Sequence, residues 1–233
     1  MKIAVRLLAL AALVSLPASA EGSGLACPEG QIRASGAVDE TVFSRAASRG
    51  VRAEWCERYD ALGRAERVGR YVERHPNGRV RLEATYRGGV LSGPVVAYHE
   101  NGAVFLRGAL VGNDWQGAVS LHHESGALFW SGSFSEGRLE GRVELRHPDG
   151  GLAAESRFQA GREDGAARSF HPRSLGGGLK SEVHVEADAF VGIHRVFDHE
   201  GKLILRTDRN AGPAGWSGTP PVAAPAAETT SAD

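Results

Sequence analysis

The sequence predicts an all-β fold, an extended single-layer antiparallel β-meander of tandem 24-residue hairpin repeats. Three observations carry this. Glycine returns with a period of 24 residues at Gly69, Gly93, Gly117, Gly141 and Gly165, and self-similarity at a fixed period marks a repeat architecture. Asn77-Gly78, Asn101-Gly102, Ser125-Gly126 and Asp149-Gly150 stand between apolar runs, the composition of two-residue hairpin loops that tolerate positive φ. A second set of turn pairs, Gly89-Val90, Asn113-Asp114, Gly137-Arg138 and Gly161-Arg162, places glycine or asparagine first, so that hairpin follows hairpin.

Taken in order, residues 1–20 read as a secretory signal. Lys2 and Arg6 precede the apolar run Leu7 to Leu16, and Pro17-Ala18-Ser19-Ala20 supplies small residues for cleavage. A run this short does not reach the roughly 20 residues of a membrane-spanning helix, so the chain is expected to be exported, periplasmic or extracellular, without a transmembrane segment. Residues 21–68 are expected to form an N-terminal capping module, since residues 27–68 fall out of register. They hold both cysteines, Cys27 and Cys56, which an oxidising compartment would join in one disulfide, pinning a hairpin over the first strand of the array. A lipid anchor on Cys27 is the weaker alternative, since Gly24 stands where such sites carry leucine. Asp39 to Ser48 suggest a short helix stopped by Gly50. Residues 69–207 form the repeat array, with three residues inserted around Ser174 to Gly178 in its fifth copy. Residues 208–233, rich in Pro, Ala and Thr, are expected to be a disordered tail.

Two-residue loops also fix which residues face each other. They set Phe134 opposite both Gly117 and Gly141, which would explain the glycine ladder as aromatic packing over bare backbone. On the other face they align Arg74, Arg81, Tyr98, Phe105, His122, Phe129, Arg146, Ala153 and Phe170. Tyr98, Phe105, His122 and Phe129, with Arg81 and Arg146 as a charged rim, are the candidate binding residues, because rings framed by arginine are the composition of a binding centre.

A histidine recurs in phase at His75, His99, His123, His147 and His171. Equivalent positions lie two strands apart, about 9.6 Å, whereas each ligand of a zinc ion sits about 2 Å from it. No metal or cofactor is therefore expected, and the histidines read as packing residues at turns. Nucleophile elbows, phosphate loops and His-Glu-x-x-His are missing, and shallow hairpins offer little room for a desolvated site, so no catalytic residues are assigned and the chain is not expected to be an enzyme. Without Lys2 and Arg6 the net charge is about -3, too small to steer the chain toward nucleic acid.

The run of glycine, apolar and aromatic positions, Asn-Gly, an aromatic and again glycine over residues 64–207 resembles the MORN-type repeat family in its bacterial variant form. Here histidine stands where that family often has tyrosine before the Asn-Gly turn. The resemblance implies a binding or scaffolding module, and so an unidentified protein partner in the cell envelope. The alternatives are a surface for glycans or lipid headgroups, and a structural envelope protein that self-associates.

Overall fold

The computed structural model describes residues 25–37 and 51–208. The expected signal segment, the helix over residues 39–48 and the tail beyond residue 208 lie outside them. The described chain divides into two compact units, one ending at Ala103 and one beginning at Val104.

The first unit contains β1 (Ile32–Ala37), β2 (Arg52–Tyr59), β3 (Ala65–Arg74), β4 (Val80–Arg87), β5 (Val90–Leu91) and β6 (Gly93–Tyr98). The second contains β7 (Val104–Val111), β8 (Asp114–Trp115), β9 (Gly117–His122), β10 (Leu128–Ser135), β11 (Arg138–Arg146), β12 (Leu152–Gln159), β13 (Arg162–Glu163), β14 (Gly165–Phe170), β15 (Leu179–Glu186), β16 (Ala189–Phe197) and β17 (Leu203–Asp208). Within each unit the pairing is antiparallel between neighbours in sequence, an open β-meander. The only helical piece among the described residues is a single 3-10 turn, Arg173–Leu175, which takes up the insertion in the fifth copy.

The Asn-Gly turns are longer than expected. His75 N donates to Arg79 O at 2.9 Å and Gly78 N to His75 O at 2.9 Å, so three residues cross over, with Gly78 left-handed at φ 84°. This is the three-residue loop with a glycine bulge. Asparagine precedes glycine because its side chain closes the turn: Arg79 N donates to Asn77 Oδ1, Ala103 N to Asn101 Oδ1 and Gly151 N to Asp149 Oδ1. The second set of turns sits one residue earlier than expected. Its central pairs, Gly88-Gly89, Gly112-Asn113, Glu136-Gly137, Ala160-Gly161 and Ala187-Asp188, all have both φ values positive, which defines the type I′ hairpin.

Each misplaced loop is offset by a bulge further along. Arg74 pairs with Val80, but Glu73 pairs with Leu82, so Arg81 is the extra residue. Beyond the bulge the expected register returns: Gly69 faces Tyr86 and Phe134 faces Gly117. Beside the type I′ turn it does not, and Phe134 faces Leu139 rather than Gly141.

The glycine ladder consequently has a different cause from the one expected. Gly93, Gly117, Gly141 and Gly165 have φ values of 127°, 75°, 80° and 117°, in the region that L side chains rarely enter. A Cβ built on Gly117 or Gly141 would meet nothing within 4 Å, so backbone twist, not ring packing, selects glycine there. Rings lie over bare backbone elsewhere. A Cβ on Gly108 would stand 2.6 Å from Trp115, and one on Gly132 2.7 Å from Trp130.

The first unit closes on the Cys27–Cys56 disulfide, whose Cα atoms are 5.7 Å apart. Around it pack Leu25 and Val72, with Val80 at the margin. With Cys27 in this bond its sulfur is not available to a lipid. β1 pairs with β2, and β2 with β3, so two paired strands precede β3.

Candidate functional site

The pairings of the second unit thread side chains into two rows that cross its strands. Leu106, Leu121, Trp130, Leu145, Ala154, Ser169, Ser181, Val196 and Leu205 follow one another partner to partner. Their chain neighbours Arg107, Ser120, Ser131, Glu144, Glu155, Arg168, Glu182, Arg195 and Arg206 form the second row by the same pairings. Successive residues of a strand point to opposite sides, so one side of this unit is largely apolar and the other charged.

The glutamates of the charged side are all paired. Arg142 donates to Glu155 at 2.6 Å and also meets Glu144 at 3.0 Å. Arg168 meets Glu155 at 3.2 Å, and Arg195 meets Glu182 at 2.7 Å. Opposite charges facing across strands stabilise a sheet by roughly 0.2–1 kcal/mol per pair, and the arginines bridge the facing pair Glu144 and Glu155.

The apolar side carries rings. Trp130 and Phe134 pack against the buried cluster of Leu139, Val143 and Phe158. Phe134 lies 6.3 Å from Trp115 and 6.3 Å from Trp130, centroid to centroid, within the range of favourable ring pairs. None of the three rings is fully buried. Sequence reasoning missed Trp115 and Trp130 as site residues. The available signal was that both stand at repeat phases held elsewhere by core leucines, Leu91 and Leu139 for Trp115, Leu82 for Trp130.

The six residues singled out from sequence do not form one row. His122 pairs with Leu128, and Phe129 is the extra residue of the bulge. His122 turns toward the charged row: Nδ1 donates to Gly126 O at 3.2 Å, and Nε2 lies in hydrogen-bond contact with Ser120 Oγ at 3.1 Å. Phe129 turns to His123 instead, with ring centroids 5.0 Å apart. Arg146 is occupied much as His122 is, donating to the turn carbonyl of Gly150 at 3.2 Å and to Glu144 at 2.8 Å. Arg81 reaches Glu73, whose carboxylate is fully buried, at 2.6 Å. Tyr98 and Phe105 belong to different units; both are partly buried, and Tyr98 O accepts a bond from His75.

The phased histidines act as staples between repeats. The Nε2–H groups of His75, His147 and His171 donate to the carbonyls of Tyr98, Phe170 and Phe197 at 2.9, 2.9 and 3.1 Å. A carbonyl only accepts, so these rings carry their proton on Nε2. His123 differs. Its Nε2 is buried without a hydrogen-bond partner, and its ring lies against Phe129.

Among the described residues no group of three or more His, Cys, Asp or Glu side chains converges as a metal site would. A depression of about 150 Å³ lies beside Glu182, His184, Ile193 and Arg195, below the roughly 300 Å³ at which ligand pockets begin. Among the described residues no helix is long and apolar enough to cross a membrane. No family model matches the chain, and no curated protein is similar to it.

Proposed function

We propose that the chain is an exported, non-catalytic repeat protein that binds a protein partner of the cell envelope through the ring-bearing side of its second unit. The observation that carries this reading is the contrast between the two sides. The glutamates of the charged row are already paired with Arg142, Arg168 and Arg195, whereas Trp115, Trp130 and Phe134 keep part of their surface open. Partly exposed, closely grouped aromatic side chains are the usual anchors of a protein interface. Phe129 with His123 extends this surface, and Arg81, His122 and Arg146 act in holding the sheet. The disulfide supports an oxidising compartment, and the apolar leader supports export.

The test is capture of envelope proteins by the purified chain and by its Trp115→Ser/Phe134→Ser variant. Loss of two interface anchors is expected to weaken capture at least tenfold. Undiminished capture by a variant with an intact circular dichroism spectrum would remove the reading. Retention on purified glycan in place of any protein would move the surface to the alternative ligand class.

A further inference from the structure

Residues 209–233 follow β17, and their composition departs from that of the array. Residues 210–227 carry no charge in a chain that is 24% charged, and they hold Pro213, Pro220, Pro221 and Pro225. Such a segment has too few large apolar side chains to build a core of its own. Proline fixes φ, so a run of this kind is held extended at little entropic cost. With no charge, it gains nothing from the arginines and glutamates of the second unit's charged side. It suits aromatic rings, the surface on which extended proline-rich segments dock.

Direction, distance and ring geometry put such rings within its reach. β17 runs from the turn that Asp198 and Gly201 close toward the strand ends that carry the type I′ turns, since Asp208 faces Ile193 and β16 begins beside Ala187-Asp188. Trp115 and Phe134 stand at that same end, each two residues from the central pair of a type I′ turn. β10, which carries Phe134 and Trp130, lies six strand spacings from β17 through β11, β12, β14, β15 and β16, about 29 Å. Pro220 is twelve residues beyond Asp208 and reaches about 37 Å in extended proline geometry. Phe134 lies 6.3 Å from Trp115 and from Trp130, so the three partly exposed rings form one continuous patch.

We infer that the chain's own segment from Thr219 to Pro225 lies across Trp115, Phe134 and Trp130 and covers them until a partner displaces it. This rests on the ring-bearing side being the binding surface, and it adds a control built into the chain. The tail and the partner compete for the same rings. A tethered segment meets its site at an effective concentration on the order of mM, so weak docking is enough to occupy the rings, and a partner that binds them more tightly still gains access.

The experiment uses the full exported chain with its disulfide intact and a photo-crosslinking residue in place of Val222. In the purified protein, irradiation is expected to join position 222 to peptides carrying Trp115, Trp130 or Phe134, within the monomer band. Crosslinks only to peptides carrying Arg168 or Arg195, a crosslinked dimer, or no crosslink would each overturn the docking. Pro220→Ala combined with Pro221→Ala and Pro225→Ala, in the chain without the crosslinker, is expected to raise capture of envelope proteins about tenfold; unchanged capture would overturn the competition. The Trp115→Ser/Phe134→Ser variant separates this inference from the reading beneath it. Loss of the crosslink from position 222 with capture undiminished would remove the binding reading and leave the docked tail standing.

Discussion

The same repeat position is filled by opposite chemistry in the two units. In the first, Glu73 is fully buried, held by Arg81 at 2.6 Å and by the Tyr71 hydroxyl at 2.9 Å. Two periods later the corresponding residues are Leu121 and Phe129, and three periods later Leu145 and Ala153. In the first unit the bulge brings Arg81 onto Glu73, the residue beside it in the facing strand. The bulge recurs in the second unit while the residue types at these two positions change from charged to apolar. A charged residue in the array is therefore a poor guide to the surface, and Arg81 is part of a buried network in its unit.

The largest effect should come from breaking that pair. Arg81→Ala leaves the Glu73 carboxylate buried without its counter-charge and is expected to cost about 3–5 kcal/mol, read as a fall in the urea midpoint. Glu73→Leu combined with Arg81→Phe installs the residues of the second unit and should recover most of the loss, because apolar replacement of a buried pair is often neutral or stabilising. A double variant as unstable as Arg81→Ala would break the comparison.

Reducing the disulfide separates the units next. It is expected to remove about 2–5 kcal/mol, with faster amide exchange in β1 to β4 and none in β10 to β16.

The Tyr71 phenol sharpens the comparison through pH. Burial, and then the neighbouring Glu73 charge, push its pKa up from the ordinary value. An acid whose folded pKa lies above its unfolded value contributes stability below the unfolded pKa, near 10, and that contribution is lost as the pH rises past it. The first unit should therefore lose stability above about pH 10, and Tyr71→Phe should flatten that part of the profile. An alkaline profile identical in the variant would exclude Tyr71 as its source.

Smaller effects test the array itself. Gly141→Ala, in open space at φ 80°, is expected to cost about 1–2 kcal/mol from backbone strain, whereas Ala160→Gly, at φ 50°, should gain a few tenths to about 1 kcal/mol. His147→Ala is expected to cost about 1 kcal/mol through its bond to Phe170 O, and His123→Ala, which loses no such bond, should cost less.

The all-β repeat, its period, the cysteine pair and most of the long-range register were legible because glycine and asparagine mark turns whatever surrounds them. Which residue each turn centres on was not. An Asn-Gly pair suits both a two-residue and a three-residue loop, and Gly137 suits either central position of its turn. Both displacements were hidden because bulges restore the register a few residues on, so that Phe134 still faces Gly117. Only residues inside a bulge or between a turn and its bulge moved, and those included Phe134 on one flank and Arg81, His122 and Phe129, three of the six proposed for binding. The histidine staples were illegible because their acceptors are carbonyls, which every residue type provides.

The claim on which the function rests is that the second unit has a binding side and a side whose glutamates are already paired. A photo-crosslinking residue at Trp115, compared with one at Arg168 in the native envelope, tests it most directly. A partner captured from position 115 and not from 168 is the result expected; capture from 168 alone would contradict it.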